Sequence, residues 1–180
     1  MRVEKHKQEY KLKVPNKIEP GAVIHESAEI GTNNIFGPNC VIRNNTKIGN
    51  NNLIGPLVCV EYQSEIGDNN SIQVYALIGA GLKIGNNYFI GPHFVHTNKQ
   101  KIKIKKYGMA KTESFDLVYS EIQDYARIGA NVKMAPGITI GHHALIDMDC
   151  LITHDVPPYA IVRGGKDKIG RIIGYQKENS

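Results

Sequence analysis

The chain has 180 residues, 41% hydrophobic and 22% charged, with a net charge of +5 and a pI near 9.0. That length suits one domain (1–180) with its own core, and the charged start MRVEKHKQEY, followed by no apolar run, predicts neither a signal peptide nor a transmembrane helix. Cys40, Cys59 and Cys150 are an odd set without CxxC or zinc-type spacing, so a disulfide framework is not expected and a reducing cytoplasm fits.

Residues 1–20 do not repeat, and Pro15 and Pro20 mark an extended lead-in that caps the first coil. From Ile24 an aliphatic or aromatic residue then returns at every sixth position: Ile24, Ile30, Phe36, Ile42, Ile48, Ile54, Val60, Ile66, Ile72, Ile78, Ile84 and Ile90. Ile122, Ile128, Met134, Ile140, Ile146 and Ile152 resume the beat. A chance match of all these positions is on the order of 10⁻⁷. A six-residue step scatters side chains around a helix but keeps them on one face of extended chain, so the repeat predicts short strands separated by turns. Glycine recurs just after the marked position (Gly31, Gly49, Gly67, Gly129), where a positive φ would be inexpensive; Asn pairs such as Asn51-Asn52 and Asn69-Asn70 crowd the same turns. Strand and turn at fixed spacing specify a solenoid. Cys40 and Cys150 occupy small-residue positions and read as packing, His25 as a structural turn residue, and several of Tyr62, Tyr75, Tyr88 and Phe89 as outer-face aromatics.

The coils of residues 21–96 end at Gly91-Pro92-His93-Phe94-Val95-His96-Thr97-Asn98, and residues 97–121 carry no hexad pattern. A long insertion rooted on a rigid coil favours function. Its KIKIKK run reads equally as an exposed strand or a solvated loop. Residues 122–158 make two cleaner coils rich in Ala and Gly, and a basic tail occupies 159–180. Basic residues concentrate in the lead-in, the insertion and the tail without any nucleic-acid module or stacking-aromatic pattern. Phosphorylated small molecules therefore suit the charge better than nucleic acid or a membrane.

The pattern [Ile/Val]-Gly-x-x-[small]-x resembles the hexapeptide-repeat acyltransferases. Thr97-Asn98 at the root of the insertion, the texture IGANVKMAPGITIG and the ending ITHDVPPYAIVRG are similar to the nucleotide-sugar N-acetyltransferases among them. The resemblance covers residues 20–175 and implies an all-β fold: a left-handed parallel β-helix of about six to seven coils, three hexads each, with one inserted loop and a short C-terminal tail. It further implies a cytoplasmic homotrimer with active sites at subunit interfaces. The implied reaction is transfer from acetyl-CoA, without a metal, to an amino group of a dTDP- or UDP-linked sugar for surface-glycan (lipopolysaccharide) biosynthesis. The chain departs from the family pattern at Gly164-Gly165-Lys166-Asp167, where Gly-x-Pro-Ala is familiar, at His154, where lysine is common, and at His96, where an aromatic residue is usual.

His96 continues the inward register. It is either a hydrogen-bonded structural imidazole or a base at the loop root, the place from which sugar O-acetyltransferases of this fold deprotonate a hydroxyl. O-acetylation is accordingly the second functional reading. Asn98 is the candidate to orient the acceptor, and His93 a second possible base. Glu61, Asp68 and Gln73 read as solvated turns that could reach the sugar. A backbone N–H from the facing coil, near Gly129 or Ala135 of a neighbouring subunit, is the candidate oxyanion donor. The pantetheine arm of acetyl-CoA is expected along Ala126, Gly129, Ala135 and Gly141, with its phosphates met by Lys133, Arg163, Lys166, Lys168 and Arg171. Transfer is expected to be direct, since no cysteine stands at the loop root. Two competing readings are a γ-class carbonic anhydrase-like zinc protein and a non-catalytic scaffold. The first is disfavoured because adjacent His142 and His143 should point to opposite faces of a strand.

Overall fold

The computed structural model describes residues 14–98 and 117–177. The KIKIKK run lies outside the described residues. Strands of two residues alternate with turns, as in Ile35–Phe36, Val41–Ile42 and Lys47–Ile48. Each pairs in parallel with the strand three hexads further along: Ile35 with Leu53, Val41 with Cys59, Lys47 with Glu65. Three sheets of nine, seven and six strands result, and no helix occurs among the described residues. The architecture is an all-β parallel solenoid of hexads, three to a coil, consistent with the left-handed β-helix that the resemblance implies.

The inward residue of each strand is the one on the six-residue beat. Phe36, Ile54, Ile72, Ile90, Ile128 and Ile146 form one buried column, and their neighbours on the other two sheets complete a continuous core. Burying each of these side chains contributes about 1.5–3 kcal/mol, which offsets the ordering of very short strands. The outward residues differ by face. The first sheet shows Ile35, Leu53, Phe89 and Leu145; the second Val23, Val41, Leu77, Val95 and Leu151; the third Glu29, Lys47, Glu65, Lys83 and Glu121. Two faces are thus mainly apolar, interrupted by Lys17, Ser71 and Arg127 on the first and Lys133 on the second, and one is charged, with Lys47–Glu29 and Lys83–Glu65 contacts of 3.7 and 3.5 Å running along it.

The turns correct one expectation. Positive φ falls on the third residue after the beat, for example Asn51 (58°) and Asn69 (59°), and not on the glycines that directly follow it. Those glycines answer to space. A Cβ on Gly129 would lie 2.7 Å from the Met148 backbone nitrogen, so the next coil could not stack at strand spacing. The second Asn of several pairs turns inward: Asn34, Asn52 and Asn70 are buried, each bonding across coils, as where Asn52 Nδ2 donates to Asn34 Oδ1 (3.0 Å) and to the Gly67 carbonyl (2.9 Å).

Ends and insertion are also defined. Lys17–Ile18 already pairs with Ile35–Phe36, so the solenoid begins inside the lead-in. Ala160–Gly164 extends the first sheet and Gly170–Tyr175 returns antiparallel to it, which makes the tail an edge hairpin. Ile66 pairs with Ile84 one regular coil later, whereas Ile84 pairs directly with Ile122. The extra length of that second step is the insertion, and the ladder closes around it. Cys40 and Cys150 are buried in the packing. Tyr75 and Phe89 lie outside as expected, whereas Tyr88 is 2% exposed and fills the interior, its hydroxyl donating to the Ile122 carbonyl.

Candidate active site

Strand Val95–His96 ends the second sheet's part of the coil from which the insertion departs. On its N-terminal side the register pairs Leu77 with Val95 and stops, while on the other side both Val95–Lys133 and His96–Met134 pair. The break marks a groove of about 290 Å³ lined by Glu61, Tyr62, Leu77, Gly79, His96, Thr97 and Asn98. Glu61, Gly79 and Thr97 follow one another one coil apart along one edge, so the coil stacking itself places them side by side. Glu61 sits 3.4 Å from Arg43 and accepts a thiol contact from Cys59 at 3.6 Å.

His96 is 1% exposed, as its inward register requires. Its Nε2 lies 2.9 Å from Ser120 Oγ, which also accepts the Gly137 N–H at 2.9 Å. Its Nδ1 has no well-formed hydrogen bond among the described residues and lies against the Gly79 backbone. Burial pushes the imidazole pKa down to about 4, opposed only in part by the nearby Gly79 backbone. The ring is therefore neutral at physiological pH. A Cβ on Gly79 would come 2.6 Å from the His96 carbonyl oxygen and 2.8 Å from its Nδ1. Thr97 is exposed and Asn98 half-buried at the rim.

The other candidates separate. His93 is not at the groove: it stacks on Tyr75 (5.0 Å) at the corner between the first and second sheets, with φ of 58°. Of the three turn residues considered for the sugar, Glu61 reaches the groove. Asp68 instead accepts the Asn50 N–H (2.6 Å) at another corner, and Gln73 donates to Ser71 (2.8 Å). The sequence does not mark Tyr62, Leu77, Gly79 or Ser120 as site residues; the coil-by-coil recurrence through Gly79 is the one signal it holds.

A second groove of about 320 Å³ on the first face is lined by Phe89, Arg127, Gly129, Ala130, Leu145, Met148 and Arg163, among others. It gathers two of the cofactor candidates, Gly129 and Arg163. Ala126 is fully buried in the core and cannot line an outer surface. Gly141 is buried, and a Cβ there would meet Pro158 N at 2.4 Å. Ala135 packs on the core, and Lys133 bonds Asn131 on the second face. The N–H groups of Gly129 and Ala135 already donate to Ile146 (2.8 Å) and Ile152 (2.9 Å), which removes both as oxyanion donors. Arg163 pairs with Asp147 (3.0 Å), Lys168 with Asp149 (3.3 Å) and Arg171 with Asp167, so ligand phosphates would have to compete for these cations; Lys166 is exposed. The three carboxyls are held below the usual range by hydrogen bonds, Asp147 chiefly from the Met148 N–H and then Arg163, Asp149 chiefly from Asn131 and then Lys168, and Asp167 chiefly from Arg171.

His142 and His143 do not point apart. They share a turn, their Nδ1 atoms are 3.1 Å apart, and His143 lies between Tyr125 and Tyr159 in a stack. Among the described residues no group of three or more metal-ligating side chains comes together, and no helix long and apolar enough to cross a membrane occurs.

The family described as bacterial transferase hexapeptide (six repeats) matches residues 16–44. Bifunctional protein GlmU of Thermotoga petrophila is 32% identical over 108 residues, 56% of this chain and 23% of that protein. The chain thus spans about a quarter of the length of the curated relatives it matches first. UDP-N-acetylglucosamine acyltransferase LpxA of Bacteroides fragilis aligns with a TM-score of 0.72 at 24% identity, over 89% of this chain and 61% of that one. A mutant perosamine N-acetyltransferase of Caulobacter crescentus, solved with CoA and GDP-perosamine, aligns with a TM-score of 0.58 at 18% identity, over 90% and 58%. With the register of the coils, these likenesses give the chain the fold of the hexapeptide-repeat β-helices.

Proposed function

We propose that the protein is an acetyl-CoA-dependent N-acetyltransferase acting on an amino group of a nucleotide-linked sugar. The observation that carries this is the groove at the root of the insertion, where Asn98 and Thr97 stand at the rim beside Glu61 and Tyr62. Its support from relatives is that similar folds include an N-acetyltransferase with CoA and a GDP-linked sugar bound and a nucleotide-sugar acyltransferase.

Asn98 orients the acceptor: its side-chain carbonyl accepts a hydrogen bond from the amine. Glu61 gives the groove a carboxylate that draws an aminium group before it sheds its proton. The neutral amine attacks the thioester carbon, the C–S bond breaks, and the departing CoA thiolate takes the proton released from nitrogen. Positioning supplies much of the rate, because an amine needs no strong base. The first-face groove, apolar between Phe89, Leu145 and Met148 with Arg127 and Arg163 at its edge, fits a pantetheine arm and its phosphates. Lys166 and Lys168 are further phosphate contacts, and Lys133, on the second face, would be contributed by a neighbouring subunit.

A cytoplasmic homotrimer is part of the reading. The two apolar faces pack against neighbours, the charged third face meets solvent, and the first-face groove of one subunit faces the root groove of the next. Sugar O-acetylation is the second reading, favoured by an imidazole in the groove wall. Thiol release from acetyl-CoA tests both: dTDP- and UDP-linked amino sugars should release thiol and their hydroxyl counterparts should not. Release with neither acceptor class overturns acyl transfer to sugars.

A further inference from the structure

The hydrogen-bond capacity around His96 determines which of its nitrogens carries the proton. Ser120 Oγ is buried, accepts the Gly137 N–H and lies 2.9 Å from His96 Nε2. Its own O–H has no other acceptor among the described residues. With the proton on Nδ1, Ser120 donates to Nε2, and a single buried polar atom, the Nδ1–H, is left without a full partner. With the proton on Nε2, that N–H donates to Ser120, and two are left: the serine O–H and the Nδ1 lone pair. One additional buried orphan disfavours the second arrangement by on the order of tenfold to a hundredfold. Strand pairing stops after Leu77–Val95, and the Gly79 backbone lies against the ring there, where a Cβ would be only 2.8 Å from Nδ1.

We infer that Ser120 is a positioning residue that fixes His96 as the Nδ1–H tautomer and covers Nε2, so that His96 serves this site as a fixed neutral ring and not as a general base. Ser120 stands at the far end of the insertion and His96 at its near end, so their contact also clasps the two ends of the root. A base was required only for a hydroxyl acceptor; occupying Nε2 therefore selects for amines. That consequence rests on the acyl-transfer reading, whereas the tautomer does not. Ser120 is not a nucleophile in this arrangement, because its oxygen is buried and its proton is committed to the ring.

Long-range ¹H–¹⁵N NMR of histidine-labelled protein reads the tautomer directly on the wild type, without any variant having to fold. The expected pattern for His96 is a protonated Nδ1 and an unprotonated, hydrogen-bonded Nε2 that persists from about pH 5.5 to 8, the range in which an ordinary imidazole titrates. A protonated Nε2 overturns the inference. Ser120→Ala should move the ring toward the Nε2–H form and Ser120→Thr should preserve the native one; the same spectrum in both overturns the role of Ser120. In transfer assays Ser120→Ala should raise the ratio of hydroxyl to amine acetylation at least severalfold, and Ser120→Thr should not. An unchanged ratio despite a shifted tautomer overturns the acceptor consequence. An acyl group found on Ser120 by peptide mass overturns the positioning role. Absence of transfer to every acceptor, with the native tautomer observed, would instead refute the acyl-transfer reading.

Discussion

Gly79→Ala places one methyl group against the root of the insertion. The new atom would sit 2.6 Å from the His96 carbonyl oxygen, where ordinary Cβ contacts begin near 3.4 Å, so the two coils must part by most of an ångström at that point. No positive φ is involved, which leaves crowding as the whole perturbation. Overpacking of this kind costs about 1–3 kcal/mol. Gly31→Ala is the matched control: its Cβ would lie 2.4 Å from the Gly49 carbonyl, in the early coils and well away from the groove. Both variants should lose a similar few degrees in thermal midpoint. Acyl-transfer kcat/KM should separate them, because a displacement near 1 Å at a reacting centre costs on the order of 10²-fold. Gly79→Ala should fall by about that factor while Gly31→Ala stays within about twofold. Equal activities in the two variants would refute the placement of the site.

Asn52→Ala should destabilise by about 2–5 kcal/mol in urea unfolding, since it strips partners from the Asn70 N–H and the Gly67 carbonyl inside the core. The His96 pKa is depressed from 6.5 to about 4, so below pH 6.5 the unfolded chain binds a proton that the folded one does not. Stability contributed by this residue is complete above pH 6.5 and decays by about 3 kcal/mol as pH falls toward 4; His96→Asn should remove that part of the slope. Phe89→Asp with Leu145→Asp, on the first apolar face, should convert a sedimenting trimer to a 20.0 kDa monomer. A stable wild-type monomer would refute the assembly.

The fold was legible because a six-residue apolar beat leaves extended coils as the only arrangement that packs every marked residue on one core. The reason for the glycines was not, since it depends on the backbone of the next coil, three hexads away, and local turn rules point to φ instead. The register of His96 foretold its burial. Its partner Ser120 was hidden by the insertion, which brings together residues that no periodicity links. Glu61 looked like one solvated turn among several; only the stacking of Glu61, Gly79 and Thr97 along one edge distinguishes it from Asp68 and Gln73. The basic tail read as a phosphate site because sequence shows charges without showing that Asp147, Asp149 and Asp167 already hold three of them.

The most direct test is a crystal structure with the acceptor nucleotide sugar and a non-hydrolysable acetyl-CoA analogue bound together. The acyl carbon and the acceptor nitrogen should lie about 3–3.5 Å apart within the groove of Glu61, Tyr62, Thr97 and Asn98, with the pantetheine arm in the Phe89–Met148 groove of a neighbouring subunit. An acyl carbon seated elsewhere, such as on the charged third face, would contradict this placement.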